Sequence, residues 1–470
     1  MMQLESLLQA LKENRLVLFI GSGFSKECGF PDWENLAKPI AKELNYPLDD
    51  NTDYSLVFQY YQDKYDNCNK LNALLKNTFS IAPKHLENHN LLAALPVTEI
   101  WTTNYDTSIE RHFEDCGRII DVKRNIHDLT IKASKADCSL YKMHGDVSVS
   151  TECVLTKDDY ENYFHTHEPF TNVLKHTLME KTVLFIGYSL NDPDLQTILS
   201  GIRRYYDKDF STHYWITKIE TEADKRIKQE LFIKNLKNYG IEAIEIDDFS
   251  EITKLLKDLN FGIKRNNIFI SGASAEADEA KIKVRNDFIR SLSSELIKRN
   301  YTIFNGFGLG VGSSVIEGAY SELYSGNLYK NSRERIKLYP FYQQNVDTDK
   351  SKRDAFKTVY RKEMLKQVGV AIFIYGTKLE SGKIVNSSGM EEEFTIAKEN
   401  KIRLIPVCST GGMAEKLWKR VNAALDSFGY TTDELKDLFY KLKALKPEDK
   451  KDELIEVIFS IIGKLTETDK

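Results

Sequence analysis

The chain predicts an α/β protein of two Rossmann-like parallel-sheet domains, the first with an added helical subdomain. Three observations predict it. Short apolar, β-rich runs alternate with longer helical patterns along almost all of the 470 residues, an alternation that yields parallel sheets with helices on both faces. The length is too great for one ordinary core. The alternation also stops and restarts once, across Leu259–Asn267 (LNFGIKRNN), whose glycine, charged and polar residues read as a linker. The domains predicted are therefore 1–260 and 266–470, the second ending in a helical tail.

In the first domain the strand candidates are Leu16–Ile20, Glu99–Thr103, Leu140–Met143, Val183–Ile186, His213–Thr217 and Ala243–Ile246. Two stretches, Trp33–Leu95 and Lys123–Met179, look helical and exceed a single crossover, so parts of them form the subdomain over the sheet. After the linker come Ile268–Ser271, Thr302–Asn305, Ile336–Pro340, Val370–Tyr375 and Arg403–Val407, then a charged helical tail from Thr431 to Lys470. No fixed-period repeat or low-complexity tract interrupts this order.

Composition narrows the function classes. Hydrophobic residues at 41% and charged residues at 29% describe a globular protein. A formal net charge of -5 gives no overall reason to expect nucleic acid as a partner. The six cysteines are scattered with no C-x-x-C pair, which argues against a disulfide framework and a paired-cysteine zinc site and suits a reducing cytosol. The opening MMQLESLLQALKENR reads as an amphipathic helix rather than a signal peptide. No apolar run approaches the roughly 20 residues of a membrane span. A soluble, cytoplasmic protein is expected. Leu4, Leu7, Leu8 and Leu11 form one helical face, either a contact in a homo-oligomer or packing on its own domain.

The chemistry is carried by loops at strand ends, where ligands of open α/β sheets collect. The first strand runs into Gly21-Ser22-Gly23-Phe24-Ser25. Glycines there let backbone approach a phosphate beside a helix N-terminus, although tight βα turns also use glycine for steric reasons alone. Thr102-Thr103-Asn104-Tyr105-Asp106 is the second loop. Asp106 suits either a ligand contact or a cap on the next helix, whereas Asn104 lies too early to be the obvious cap. The third, Met143-His144-Gly145-Asp146, places a histidine, the side chain suited to taking a proton near neutral pH, before a glycine turn. Ile186-Gly187-Tyr188-Ser189-Leu190-Asn191-Asp192 is a second glycine turn after an apolar strand. Ser25 and Ser189 read as phosphate or ribose ligands, since neither has an evident acid–base partner.

These four loops in order resemble the sirtuin (SIR2) family over roughly residues 10–250, and Gly29-Phe30-Pro31-Asp32 matches the family segment after the first loop. The resemblance implies NAD as substrate, held by Gly21, Ser22, Gly23, Ser25, Asp32, Asp106, Gly187 and Ser189, with Asn104 at the nicotinamide ribose and His144 as base. The four-cysteine zinc ribbon of sirtuin deacylases is missing, so no metal is expected and water replaces acyl-lysine as nucleophile. A SIR2-type protein deacylase and a non-catalytic nucleotide sensor remain alternatives.

In the second domain, Ile270-Ser271-Gly272-Ala273 ends a strand, and Phe304–Ser314 carries glycines at 306, 308, 310 and 312. Alternating glycines suggest backbone close to a phosphate at the start of the next helix. Between Asn331 and Lys366 ten Lys/Arg face five Asp/Glu. Most read as a solvated face, but Arg361 lies on the helix leading into the Gly369–Tyr375 strand, beyond which comes Gly376-Thr377-Lys378. Ser387-Ser388-Gly389-Met390-Glu391-Glu392-Glu393 then opens a helix, whose glutamates can simply complement its dipole. Residues 266–412 resemble the SLOG superfamily, with the glycine turn of its glycosidase members eroded to SSGMEEE. SIR2 followed by SLOG resembles the NAD-degrading effectors of Thoeris anti-phage defence. That resemblance implies a homo-oligomer, commonly a tetramer, activated by a cyclic ADP-ribose isomer from a partner TIR protein. The isomer's contacts fall on Gly272, Gly308, Gly310, Arg361, Lys378 and Glu393, with the register at Glu393 open by one or two residues.

Overall fold

A strand buried on both faces needs an unbroken apolar run, and LVLFI at Leu16–Ile20 (β1) supplies one, with all five residues buried. The computed structural model describes residues 2–49, 52–81, 84, 86–131, 133–190, 193–206, 211–326, 332–341 and 350–466. The chain divides into two compact units, Met1–Asn260 and Phe261–Lys470.

In the first unit β1 is joined by Glu99–Thr102 (β2), Ile120–Lys123 (β3), Cys138–Lys142 (β4), Thr182–Ile186 (β5), His213–Lys218 (β6) and Ile241–Ile246 (β7). The sheet order is β3-β4-β2-β1-β5-β6-β7, and every pairing is parallel. The chain fills one side of β1 and then returns to the other, so β1 and its neighbours β2 and β5 form the topological switch point. The crevice beyond their carboxyl ends is where such a sheet binds ligands. Four helices, Trp33–Leu44, Tyr54–Tyr65, Asn69–Phe79 and Glu87–Ala94, form the added subdomain. Its apolar cluster closes on Phe30, Tyr105 and Val147, which follow β1, β2 and β4.

The second unit orders Asn267–Ala273 (β8), Thr302–Asn305 (β9), Ile336–Leu338 (β10), Val370–Tyr375 (β11) and, after a hairpin, Arg403–Pro406 (β14) as β10-β9-β8-β11-β14. This sheet is also parallel. The antiparallel hairpin is Thr377–Glu380 (β12) with Lys383–Asn386 (β13). The charged tail is helical over Asp433–Ala444 and Pro447–Thr466, and its apolar stripe, including Leu454, Ile458 and Ile462, joins the second core.

The structure departs from the sequence reading in three places and decides between two open alternatives in a fourth. Leu259–Asn267 is no open linker: its first six residues complete the helix Ser250–Lys264, and its last opens β8. The helix keeps Leu256 and Leu259 fully buried, and one internal glycine is not enough to end it. Lys123–Met179 is only partly helical. The edge strand β3, a four-residue IDVK with every second residue buried, carries too weak a pattern to stand out. The β12–β13 hairpin was likewise unannounced, because its strands bury no residue fully. Finally, Leu7, Leu8 and Leu11 are buried within the chain and Leu4 is half-buried, so that face packs on its own domain.

Candidate functional site

Two glycine loops interlock at the switch point. Gly21 N–H donates to Ile186 O at 2.9 Å and Gly23 N–H to Gly187 O at 2.9 Å. A Cβ on Gly21 would lie 2.3 Å from Gly187 O, and one on Gly187 2.4 Å from Phe24 N. Gly187 also sits at φ +65°, where glycine is favoured. The steric reading of these glycines therefore holds in full, and the interlock sets the loops as one wall of a cavity of about 830 Å³. His144, Tyr160 and Trp33 line the same cavity.

Asn104 is anchored from the β1 side. Its Nδ2 donates to Gly21 O and to Ser25 Oγ, each at 3.0 Å, and its backbone N–H donates to Thr102 Oγ1 at 3.0 Å. Its Oδ1 is buried without a hydrogen-bond partner among the described residues. Such an atom costs roughly 1–3 kcal/mol unless something polar meets it. Asn104 lines a small recess that shares Ser22, Asp32, Trp33 and Thr103 with the larger cavity.

His144 is 1% exposed. Its Nδ1 lies 3.4 Å from Tyr160 Oη, and the Tyr160 and Tyr163 rings meet the imidazole edge-on. The helix Lys157–Thr166 that presents both tyrosines is fixed by a Thr156–Asp159 capping box. At the cavity mouth Lys157 pairs with Asp53 at 3.0 Å.

Two predicted ligand residues are occupied by local structure. Asp106 Oδ1 accepts from Ser108 N–H at 2.9 Å and from the Ser108 hydroxyl, tying it to the helix Ser108–Asp115. Asp32 caps the helix Trp33–Leu44 through Asn35 N–H and pairs with Lys26 at 2.9 Å. Burial alone would raise its carboxyl, yet Asn35 and Lys26 hold it below the usual range. Ser189 is exposed and lines the cavity, while Asn191 and Asp192 lie outside the described residues.

The second unit holds a cavity of about 410 Å³ between the ends of β8, β9 and β11 and the helix Ser388–Glu399. Gly308 passes so close to β8 that a Cβ would fall 2.1 Å from Gly272 O. Arg361 donates from Nη1 to Glu392 Oε2 at 2.7 Å, lies 3.5 Å from Glu393 Oε1, and stacks over Phe341 at 4.8 Å. Glu393 Oε2 accepts from Ser271 Oγ at 2.6 Å, and burial outweighs that bond and Arg361 to push its carboxyl up. Lys378 bonds Ser388 Oγ at 3.1 Å. Arg361, Lys378, Glu393, Gly272 and Gly308 all line this cavity, whereas Gly310 does not.

Known proteins match both units. Residues 98–244 match the SIR2-like domain family and residues 251–465 the Sir2- and TIR-associating SLOG family. The chain is 36% identical over 95% of both lengths to the NAD(+) hydrolase ThsA of Bacillus cereus (strain MSX-D12). The chain belongs to the ThsA family. The ThsA of Cytobacillus dafuensis is 37% identical, covering 90% of this chain and 89% of its own. That of Acinetobacter baumannii (strain 532279) is 33% identical, covering 90% and 91%. The resemblance drawn from the loop motifs thus stands for the whole two-domain arrangement.

For a ThsA-family chain the structure adds residues that the loop motifs missed. Tyr160, Trp33, Tyr54, Lys157 and Asp53 reach the first cavity from the helices that cap it. The helical sequence around Tyr160 carries no signal of its own. Its role emerges only when the helix Lys157–Thr166 is set beside β4. The one usable hint was the capping box at Thr156, which places a helix start close behind the His144 loop. Among the described residues no group of three or more His, Cys, Asp and Glu could hold a metal ion. No described helix is long and apolar enough to cross a membrane.

Proposed function

We propose that this chain is an NAD+ glycohydrolase of anti-phage defence, cleaving NAD+ to nicotinamide and ADP-ribose in the cavity of its first unit. The carrying observation is the buried Oδ1 of Asn104, without a hydrogen-bond partner among the described residues, on a side chain lining a recess that shares four residues with the cavity lined by His144. A ribose hydroxyl or a water is the partner that this acceptor calls for. The cavity volume of about 830 Å³ falls in the range of sites that enclose a small ligand.

The reaction asks little beyond positioning. The bond between ribose and nicotinamide breaks, its electron pair neutralises the pyridinium, and oxocarbenium character develops on the sugar. Water adds to that carbon and gives up a proton. Asn104 orients the ribose and the water, and His144 takes the proton from the water or a ribose hydroxyl. Tyr160, beside His144 Nδ1, orients the ring.

The second cavity is the proposed switch. Its Arg361 and Lys378 offer positive charge to a pyrophosphate, which suits a cyclic ADP-ribose isomer supplied by a TIR-domain partner. Binding there favours the active state of a homo-oligomer, a tetramer by family resemblance.

The test is nicotinamide release from NAD+ with and without cyclic ADP-ribose isomers. Wild type should respond to one of them. His144→Ala and Asn104→Ala should each lose activity by about 100-fold or more while remaining folded. Near wild-type release by folded His144→Ala would overturn the site, and full activity without ligand would overturn the switch. Release of acyl groups from acyl-lysine peptides would favour the deacylase reading instead.

A further inference from the structure

Beneath the loops of Asn104 and His144 lies a charged side chain that the reaction itself does not use. Lys142 is the last residue of β4, paired in register with Thr102 of β2, and is 1% exposed. An ammonium has three protons to donate, and all three are committed. One goes to Asp106 O at 2.6 Å, one to Glu110 Oε1 at 3.1 Å, and one to the Asp146 carboxylate. Tyr105 O lies nearby at 3.4 Å.

These partners belong to three different pieces of the site. Asp106 and Tyr105 are in the loop that carries Asn104, Asp146 is in the loop that carries His144, and Glu110 is on the helix Ser108–Asp115. Asp146 is itself held by Ser148 N–H at 2.7 Å, which starts the turn after that loop. We propose that Lys142 is a positioning residue for NAD+ cleavage, a tripod that holds the Asn104 and His144 loops in fixed register. The proposal rests on the NAD+ hydrolase reading above.

The electrostatics support a rigid tripod rather than an incidental ion pair. Burial alone would lift the Asp146 carboxyl, but Lys142 and Ser148 hold it below the usual range, so it stays ionised. Burial pushes the Glu110 carboxyl up, beyond what Lys142 recovers, and its Oε2 is buried without a hydrogen-bond partner among the described residues. Lys142 thus sits between the Asp146 and Glu110 carboxylates, and Arg124 Nε stands 3.9 Å from the other Asp146 oxygen. Moving the ammonium would take the nearest cation from Asp146. Other ties link the loops, such as Val147 N–H to Tyr105 O at 3.0 Å. That bond joins two of the three pieces, whereas Lys142 joins all of them.

The experiment uses the full chain under the conditions in which wild type cleaves NAD+. Lys142→Met should lower kcat by about 100-fold with KM changed less than about threefold, because a shift near 1 Å at the reacting groups costs that much. Since Lys142→Met strands a buried carboxylate and can unfold the site, the double variant Lys142→Met with Asp146→Asn is measured beside it. That pair removes the Lys142 and Asp146 charges together and should melt above Lys142→Met alone, yet keep the loss in kcat. ADP-ribose affinity should stay within about threefold in both. A folded double variant with wild-type kcat would overturn the tripod and leave the hydrolase reading standing. A parallel loss of ADP-ribose binding and melting temperature would also overturn it, as a structural role alone. A wild type that releases no nicotinamide in any condition would overturn both.

Discussion

The interlocked glycines make the most direct prediction. Gly187→Ala places a Cβ 2.4 Å from Phe24 N and 3.0 Å from Gly23 C, all backbone atoms that cannot swing aside. The residue also sits at φ +65°, a conformation that costs an L-residue about 1–2 kcal/mol. Forcing the two loops apart adds about 1–3 kcal/mol of overpacking. A total of roughly 2–5 kcal/mol should lower the melting temperature by roughly 5–15 °C in a unit of this size. Gly29→Ala is the matched control, because Gly29 is at φ +97° and a Cβ there would meet nothing within 4 Å. It should show the backbone cost alone. Thermal unfolding followed by circular dichroism reads stability, and nicotinamide release reads the site. If Gly187→Ala melted no lower than Gly29→Ala, close approach would not be what excludes a side chain there.

Three further outcomes are expected. Arg361→Ala should abolish activation at moderate cyclic ADP-ribose concentration. Gly389→Ala should weaken it about tenfold with little change in melting, since its Cβ would fall 2.7 Å from the movable Arg361 Nη2. Calorimetric binding like wild type in both variants would refute this placement of the ligand. His213 is fully buried, accepts from Val183 N–H at 3.2 Å, and is pushed down by burial to about 4. The unfolded chain binds that proton first as pH falls below about 6.5. Stability is therefore full above pH 6.5 and declines toward pH 4, by on the order of 3 kcal/mol. Melting curves from pH 7 to 4.5 should show this decline, and a His213→Asn variant should show a shallower one. An equal slope in both would refute it.

Much of the candidate site was legible because its chemistry lies at strand ends. Gly21, Asn104, His144 and Gly187 each follow an apolar run, and parallel-sheet geometry gathers such positions on one edge. The second unit repeats the pattern with Gly272, Gly308 and Lys378 around its own cavity. Glu393 faces the cavity, while Glu391 pairs outward with Lys416 and Arg420. Helical periodicity decides that difference only once the helix start is known, and its cap at Ser387 shows that start.

What the amino-acid sequence determined by itself was therefore local: two alternating α/β units, their main buried strands, and the polar residues at the strand ends. Those depend on apolar period and on residue type within a few positions. Tertiary structure alone decided which helices close over the site, why the glycines are required, and what Lys142 holds. Each of these depends on residues far apart in the chain: Gly21 meets Gly187, Tyr160 reaches His144 from another element, and Lys142 spans to Glu110. A contact between distant segments leaves no period in either one, so only packing reveals it.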